Sequence, residues 1–271
     1  MEKPLSDRVT VPQLRQKKRE GRKITMLTAY DALFAELLDE AGVDLVLVGD
    51  SLALVVQGHE TTLPVTLEEM LYHTRLVSRG VRRALVVADM PFLSYQVSVA
   101  EAVRNAGRFL QEAGAAAVKL EALGAQTETV RAIADAGIPV MAHLGLTPQA
   151  VHRLGGYKVQ AREPDQQERL LREAEALQAA GAFALLLEAI PQDLARRITR
   201  ALDIPTIGIG AGPHCDGQVL VLHDMLGLFG RFTPKFVKRY AHLRDEVLQA
   251  VRRYKEDVEQ GRFPGEEHSF H

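Results

Sequence analysis

The chain has 271 residues, of which 46% are hydrophobic and 25% charged, and its formal net charge is −2. This length allows one large hydrophobic core, and the near-balanced charge argues against a basic nucleic-acid-binding face. No apolar run is long enough to span a bilayer, the first residues lack the apolar stretch of a signal peptide, and Cys215 is the only cysteine. We therefore expect a cytoplasmic protein without internal disulfides that acts on small molecules and does not bind nucleic acid or membranes.

Short apolar runs alternate with helix-patterned stretches along the chain, and such runs are typical of parallel strands buried on both faces. The first helical pattern precedes Ile24, and the last is a long amphipathic helix from Pro234 to Gly261. The eight predicted strands span Ile24–Thr28, Leu45–Gly49, Leu85–Ala88, Ala117–Leu120, Val140–His143, Ala184–Leu187, Thr206–Ile209 and Met225–Leu228.

Helix ends are marked by residues that satisfy free backbone groups. Thr66-Leu-Glu-Glu69 and Ser98-Val-Ala-Glu101 are predicted capping boxes at helix starts. Glycine just past a helix end can adopt the left-handed conformation that satisfies the last carbonyls. Glycines in this position are Gly42, Gly80, Gly114, Gly137 and Gly181.

Eight strands separated by helices, without an evident linker, predict an α/β protein with one domain over residues 1–271. We expect a single (β/α)8 TIM-type barrel with an extra N-terminal helix and a C-terminal helical extension. A doubly wound open sheet is the alternative, because it shows the same alternation of strands and helices.

Four strand-like runs end on a carboxylate, at Asp50, Asp89, Glu121 and Glu188. In one parallel sheet these acids would meet at a common mouth and repel one another unless a cation or a proton held them together. Lys119 shares a strand face with Glu121, and a lysine in an apolar strand is costly unless it is paired. A structural ion pair explains Lys119 and Glu121, but it explains the other acids less easily.

The chemistry of the acids favours one kind of metal. Asp50 and Asp89 suit a hard divalent cation such as Mg²⁺, which prefers oxygen ligands. The histidines offer no HxxxH spacing and the chain no CxxC spacing, so a zinc site is not expected. We interpret His143, at a strand end, as a structural residue and Cys215 as incidental.

Two glycine-rich segments allow two interpretations each. Gly208-Ile-Gly-Ala-Gly212, after the seventh strand, predicts either a phosphate cradle or only a tight loop. Gly155-Gly-Tyr-Lys-Val159 predicts a mobile loop near the mouth, where its tyrosine and lysine either face a ligand or are only solvated.

With these residues assembled, the chain resembles the ketopantoate hydroxymethyltransferase family almost from end to end. Many ordered blocks together are far more specific than any one of them. The blocks are Thr25-Met-Leu-Thr-Ala-Tyr-Asp31, Val48-Gly-Asp-Ser51, Gln57-Gly-His59, Leu63-Pro-Val-Thr66, Ala88-Asp-Met-Pro-Phe92, Val118-Lys-Leu-Glu121, His143-Leu-Gly-Leu-Thr-Pro-Gln149, Gly155-Gly-Tyr-Lys-Val-Gln160, Gly208–Gly212, Asp216-Gly-Gln218 and the GEEHSFH tail.

The resemblance implies a barrel that is usually assembled as a decamer, a homo-oligomer with one Mg²⁺ per subunit. It also implies 5,10-methylenetetrahydrofolate as the one-carbon donor. By position, Asp50 and Asp89 resemble direct metal ligands. Glu121 resembles a third metal-associated acid, which acts either directly or through water.

The implied reaction transfers a hydroxymethyl group to 3-methyl-2-oxobutanoate and gives 2-dehydropantoate (ketopantoate), in pantothenate biosynthesis. Ser51 and Lys119 resemble contacts to the 2-oxo acid, together with Asp50 and Asp89. The carboxylate and keto oxygens of the substrate would chelate Mg²⁺, which polarises the ketone. Glu188, kept off the metal, resembles the general base that removes the C3 proton and gives a Mg-bound enolate. The enolate would then attack the methylene carbon of the folate.

The chain departs from the family pattern at two places. The family often has paired glycines after the acid of the fourth strand, whereas this chain has Ala122-Leu123. Ala161 also stands where a glycine commonly follows the GGYKVQ block. Both departures put the loop shape and the folate contacts in question, but not the acids.

Three other functions compete with this one. A Mg²⁺-dependent barrel lyase or mutase acting on another 2-oxo acid without folate could have similar acids. A phosphate- or flavin-binding barrel would be centred on Gly208–Gly212. A non-catalytic scaffold is the weakest alternative, because it gives no reason to collect four acids and a lysine at one mouth.

Overall fold

The computed structural model describes residues 8–122, 124 and 126–271. The chain divides into two compact units, Met1–Val221 and Leu222–His271. The first unit contains a closed barrel of eight parallel strands that pair in chain order, so the predicted (β/α)8 fold is confirmed and the open sheet is excluded. The single domain over 1–271 stays a prediction. The residues at the very start, in which no signal peptide was recognised, lie outside the described ranges.

The strands of the barrel, β1 to β8, span Ile24–Thr28, Leu45–Val48, Leu85–Asp89, Ala117–Glu121, Val140–Gly145, Ala184–Glu188, Thr206–Ile209 and Gly217–Leu220. The helices of the first unit, α1 to α9, span Val11–Arg19, Ala32–Glu40, Leu52–Val55, Leu67–Gly80, Val99–Gln111, Thr127–Asp135, Val151–Leu154, Pro164–Ala179 and Gln192–Ala201. The second unit contains α10 at Leu222–Met225 and α11 at Leu243–Glu259. Two 3₁₀ turns cover Pro148–Ala150 and Glu266–His268. In the described ranges, none of these helices combines the length and the apolar character that crossing a bilayer requires.

The prediction of the eighth strand was wrong. The structure places β8 at Gly217–Leu220, while residues 225–228 form the end of α10 and the following turn. The true strand is only four residues long and includes a glycine and the exposed Gln218, so it lacks the continuous apolar run that marks the other strands. The longer apolar run further along the chain was mistaken for it.

The predicted C-terminal helix is confirmed over a shorter range than Pro234–Gly261. It begins at Leu243 because the preceding backbone donors bond elsewhere. The amide of Tyr240 donates to the carbonyl of Met225 (2.9 Å), and the amide of Leu243 donates to that of Leu226 (3.0 Å). These bonds replace the i to i−4 bonds that a helix needs.

The signals predicted at helix starts are largely confirmed. Thr66 and Glu69 form the complete capping box, in which the Thr66 amide donates to Glu69 Oε2 (2.8 Å). At Ser98 only half of the box is present, since its hydroxyl accepts from the Glu101 amide (3.2 Å). The glycines that end helices with positive φ angles, as predicted, are Gly42, Gly114, Gly137 and Gly181.

Gly80 was predicted to act in the same way, but it does not adopt the left-handed conformation. It is the last residue of α4, and this helix packs against α2. A Cβ atom at position 80 would lie 2.3 Å from the carbonyl oxygen of Ala32. Glycine is therefore required here by the close approach of two backbones and not by a φ angle.

The core of the barrel is formed by alternate residues of the strands, because side chains two apart share a strand face. These inward residues pack with Leu14 of α1, which lies in the same cluster and confirms the predicted extra helix under the barrel. Lys17 pairs with Asp44 (2.5 Å) and Lys18 with Asp216 (2.9 Å), and both acids lie just before the start of a strand. Helix α1 therefore closes the amino-terminal end, and any ligand must enter at the opposite end. The strand residues of the cluster are Ile24, Met26, Leu45, Leu47, Leu85, Val87, Ala117, Met141, Ala184, Leu186, Ile207 and Val219.

We predict that Gly80→Ala lowers the urea midpoint of unfolding by the equivalent of about 1–3 kcal/mol, because the new methyl group overlaps the α2 backbone. Gly107, a half-buried residue in the middle of α5, has no atom within 4 Å of an added Cβ. Gly107→Ala is the matched control and should stabilise the protein by up to about 1 kcal/mol through helix propensity. Equal effects of the two substitutions would contradict the packing account.

Candidate active site

The charged residues at the open end of the barrel continue the inward-facing series of the core. On β3, Val87 points into the core and Asp89 follows two residues later. On β4, Ala117 is followed at the same spacing by Lys119 and then Glu121. The uppermost layer of the barrel interior is therefore charged, while the layers below it are apolar.

Strands β5 and β6 also place an inward-facing polar side chain in this uppermost layer of the barrel. On β6, Glu188 follows Leu186, and on β5 His143 lies opposite Leu186 in the strand register. Asp50 is positioned differently, because β2 ends at Val48 and strand alternation does not extend to the residues after it. Asp50 nevertheless reaches the mouth, where it accepts a hydrogen bond from Gln149.

Hydrogen bonds connect three of the acids and the lysine. The Lys119 ammonium donates to Asp89 Oδ1, and the backbone amide of Asp50 donates to Asp89 Oδ2 (3.0 Å). Gln149 Nε2 donates to Asp50 Oδ2 (2.9 Å), while the Gln149 amide donates to Glu121 Oε1 (3.0 Å). One connected group of buried side chains therefore holds Asp50, Asp89, Lys119 and Glu121 together.

Gln149 is a site residue that the sequence did not single out. It lies in the 3₁₀ turn after β5, is 7% exposed, and joins two acids that are distant in the chain. The Tyr95 hydroxyl donates to Gln149 Oε1 (2.8 Å) and accepts from the Glu121 amide (3.2 Å). A lone amide and a lone tyrosine have no characteristic spacing, so only the Thr-Pro-Gln sequence after a strand pointed to this turn.

Ser51 lies beside this group at the start of α3. Its hydroxyl is 2.9 Å from the hydroxyl of Tyr30, another residue that sequence reasoning did not select. An added Cβ at Gly49 would lie only 2.7 Å from Ser51 Oγ, so the turn between Val48 and Asp50 leaves no space for a side chain. The tight turn brings Ser51 next to the acids.

The acids lack sufficient positive charge around them. Burial, followed by the charge of Asp89, raises the pKa of Asp50 to about 7. Burial, followed by the charge of Asp50, raises the pKa of Glu121 to about 9. Burial alone would lower the pKa of Lys119, but Asp89 and Asp50 outweigh it and the pKa is raised. One ammonium group therefore faces several carboxylates that stay partly protonated at neutral pH.

Glu188 occupies a separate part of the mouth. Its Oε2 lies 3.3 Å from His143 Nε2, and in the described ranges it has no hydrogen bond to the other acids or to Lys119. Burial raises the pKa of Glu188 to about 7, with Lys119 opposing this shift and Asp89 adding to it. Burial and then Lys119 hold the pKa of His143 well below its usual range, so its ring is neutral. The structure thus places His143 against the fourth acid.

The donor atoms fit a hard cation that is not held by protein alone. Across residues 8–122, 124 and 126–271, no three His, Cys, Asp or Glu side chains are arranged to hold a metal ion by themselves. Mg²⁺ is commonly bound by one or two carboxylates and completes its shell with water and substrate oxygens. Asp50 and Asp89 could supply the two carboxylates, and the raised pKa values of Asp50 and Glu121 show that positive charge would be favourable there.

The two glycine-rich segments differ in their relation to the mouth. Burial and the charges of Asp50, Glu188 and Glu121 raise the pKa of Tyr157, so the loop that carries it lies near the acids, as predicted. In the other segment, an added Cβ at Gly208 would lie 2.9 Å from the buried Cys215 sulfur. Close packing therefore accounts for the latter glycine.

The fold and the mouth together define a class of protein, an enzyme of the (β/α)8 type whose open end buries several carboxylates around one lysine. A family model described as ketopantoate hydroxymethyltransferase matches residues 8–266. The 3-methyl-2-oxobutanoate hydroxymethyltransferase of Moorella thermoacetica is 59% identical over 97% of this chain and 98% of its own length. That of Pelobacter propionicus is 58% identical over 97% of each chain. The chain belongs to the ketopantoate hydroxymethyltransferase family, which confirms the resemblance seen in the sequence blocks.

Solved structures with the same fold are more distant in sequence. Phosphoenolpyruvate phosphomutase from Streptomyces platensis subsp. rosaceus has a TM-score of 0.63 at 19% identity, covering 93% of this chain and 88% of that one. A phosphonopyruvate hydrolase in complex with oxalate and Mg²⁺ has a TM-score of 0.61 at 15% identity, covering 95% and 92%. At such identities the likeness establishes the barrel fold alone.

We predict that the metal-free protein loses thermal stability as the pH rises from about 5 to about 9. Below the unfolded-state pKa values of the acids, near 4, the stability that their protonated forms contribute is complete. It is lost as the pH passes through the folded-state values, which are about 7 for Asp50 and Glu188 and about 9 for Glu121. The measurement is Tm against pH in a chelating buffer.

Glu121→Gln should make this fall in Tm smaller, because it removes the acid with the highest folded pKa. Glu128→Gln, at an exposed glutamate in the first turn of α6, is the matched control and should leave the slope as in the wild type. If Tm fell with pH as steeply in Glu121→Gln as in the wild type, the raised pKa of the buried Glu121 carboxyl would be contradicted.

Proposed function

We propose that the protein transfers a hydroxymethyl group from 5,10-methylenetetrahydrofolate to 3-methyl-2-oxobutanoate and so forms ketopantoate. Family membership over nearly the whole chain supports this reaction, and relatives at 58–59% identity carry the corresponding name. The observation that carries the mechanism is the division of the mouth. Three acids and Lys119 form one hydrogen-bonded group, whereas Glu188 stands apart from them against a neutral histidine.

Asp50 and Asp89 are the proposed metal ligands, and Glu121 is the proposed third metal-associated acid, acting directly or through water. Glu121 accepts from the Gln149 amide, and the Asp50 amide donates to Asp89 Oδ2, so all three acids are held in one group. When bound, Mg²⁺ supplies Lewis-acid polarisation of a keto group, which acidifies the neighbouring C–H bond. Gln149 donates to both Asp50 and Glu121 and so keeps these two carboxylates at a fixed separation.

Lys119 and Ser51 are proposed to contact the 2-oxo acid, together with Asp50 and Asp89. The ammonium group of Lys119 is buried and charged, so it can attract an anionic substrate into an otherwise negative mouth. The Ser51 hydroxyl is held in place by Tyr30 and can donate to a carboxylate oxygen.

Glu188 is proposed to be the general base that removes the proton from C3 of the substrate. A base works best when its pKa lies near the working pH, and burial brings the pKa of Glu188 to about 7. Because Glu188 lies apart from the proposed metal ligands, its carboxylate is free to accept a proton. The neutral ring of His143 at 3.3 Å limits the directions in which this carboxylate can point.

We propose a homodecamer in the cytoplasm, acting on small-molecule substrates. Exposed apolar side chains along α11 favour burial against another copy of the chain, as expected for an oligomer. These side chains are Val247, Leu248, Val251, Tyr254 and Val258.

We predict that Glu188→Gln retains Mg²⁺-dependent binding of 3-methyl-2-oxobutanoate but loses deuterium exchange at C3 by at least about 100-fold, the usual contribution of a general base. Exchange is followed by NMR in D₂O with Mg²⁺ and without folate. Asp50→Asn is the complementary variant, because it should lose Mg²⁺-dependent binding itself, as measured by calorimetry. Exchange at the wild-type rate in Glu188→Gln would remove this residue from the role of base.

The competing lyase or mutase function makes a different prediction with the same substrate. A hydroxymethyltransferase forms product from 3-methyl-2-oxobutanoate only when methylenetetrahydrofolate is present. A lyase or mutase of this fold would act on a 2-oxo acid without it. The structural neighbours of that kind share only 15–19% identity with this chain, so they support the fold and not that activity.

A further inference from the structure

The segment between β5 and α8 carries an unusual charge for its position. Residues 146–162 contain no aspartate or glutamate, but they include the cations Arg153, Lys158 and Arg162. In the part of the chain that the structure describes, none of these three side chains forms an ion pair. The segment borders a mouth that holds four carboxylates, three of them buried, so uncompensated positive charge lies beside concentrated negative charge.

A cavity of about 380 Å³ lies along this segment. Its walls come from the segment itself, from α8, from the end of β5 and from Gly124, and their charged residues are Arg153, Arg169 and Glu173. This volume lies in the range of small-molecule sites. The cavity therefore has room for part of a ligand, and its wall carries two arginines and one glutamate.

The cavity begins next to the proposed base. Gly145 is paired with Glu188 in the strand register, and an added Cβ at Gly145 would lie 2.2 Å from the Glu188 carbonyl oxygen. On the opposite wall, the amide of Gln160 donates to the carbonyl of Ala189, the residue after Glu188 (2.8 Å). The end of β6 thus lies beside both the acidic mouth and the cavity.

The backbone of the cavity wall is held in a costly conformation. Ala161 has a φ angle of 52°, in the left-handed region that favours glycine. This is the position at which the chain departs from the glycine common in the family, so here an alanine accepts the strain that a glycine would avoid. Such strain persists where the surroundings fix the backbone, and it clusters at ligand sites.

We propose that this cavity binds the glutamate carboxylates of the folate donor. The inference rests on the proposed function and adds the residues that recognise the second substrate. A folate delivers its one-carbon unit from an uncharged ring system, while its other end carries two carboxylates. That anionic end is repelled by the acids of the mouth and is attracted by Arg153 and Arg169, which can form charge-assisted hydrogen bonds with it.

Arg169 is the more constrained of the two arginines. Its Nε donates to Glu173 Oε1 (2.9 Å), which fixes the side chain along α8 and leaves the terminal amino groups available. Among the residues that the structure describes, Arg153 on α7 has no such partner, so it can turn into the cavity. The pair therefore combines one positioned cation with one adaptable cation.

The test uses the full-length protein loaded with Mg²⁺ and compares tetrahydrofolate with tetrahydropteroate, which lacks the glutamate. The double variant Arg153→Gln/Arg169→Gln should bind tetrahydrofolate at least about tenfold more weakly by calorimetry, while its affinity for tetrahydropteroate is unchanged. Arg172→Gln, an exposed arginine on the same helix outside the cavity, is the matched control and should bind both ligands as the wild type does.

The possible outcomes separate this inference from the proposed function. An unchanged affinity for tetrahydrofolate in the double variant, or an equal loss for both ligands, overturns the assignment of the cavity. Folate-free deuterium exchange at C3 is measured in the same samples, because it reports the acidic mouth alone. Exchange in the wild type without any binding of tetrahydrofolate would overturn both the cavity assignment and the folate-dependent reaction.

Discussion

The ion pair between Lys119 and Asp89 is the interaction on which the rest of the mouth depends. Both residues lie on neighbouring strands of the barrel and point into its interior, where their side chains are 8% and 3% exposed. Removing one partner of such a pair leaves an uncompensated buried charge, at a typical cost of about 3–5 kcal/mol. Burial, followed by the charge of a neighbouring aspartate, raises the pKa values of Asp50 and Glu121, and the single lysine only partly offsets this rise. A divalent cation would supply the charge that is missing.

The barrel places the acids of the mouth in two groups with different proposed roles. Because parallel strands all deliver their last inward residue to the same end, acids from separate strands meet there without any long-range design of loops. Gln149 joins Asp50 and Glu121, and the Asp50 amide joins Asp89 to them, while β6 presents Glu188 next to a neutral His143. The basic segment after β5 then supplies positive charge outside the acidic layer. Cation, base and anionic co-substrate are thereby proposed to occupy adjacent but electrostatically distinct places.

Much of this arrangement could be read from the sequence, because strand-end acids and helix-end glycines have fixed spacings. Seven strands and the convergence of Asp50, Asp89, Glu121 and Glu188 follow from apolar runs alone. The eighth strand could not be found in this way, since a four-residue strand with an exposed glutamine has no apolar signature. Gln149 was also beyond sequence reasoning, because its role depends on contacts between distant segments. The sequence position of Gly80 indicated a helix end, but it could not show that the backbone of α2 comes too close for any side chain at this position.

Buried, partly protonated carboxylates thus form the proposed site of a divalent cation. The most direct measurement is calorimetric titration of Mg²⁺ with 3-methyl-2-oxobutanoate at pH 7 in two buffers that differ in ionisation enthalpy. Because cation binding favours the ionised acids, we expect about one proton to be released per subunit. We also expect that the 2-oxo acid does not bind when Mg²⁺ is omitted. Binding that releases no proton, or that proceeds equally well without the metal, would contradict it.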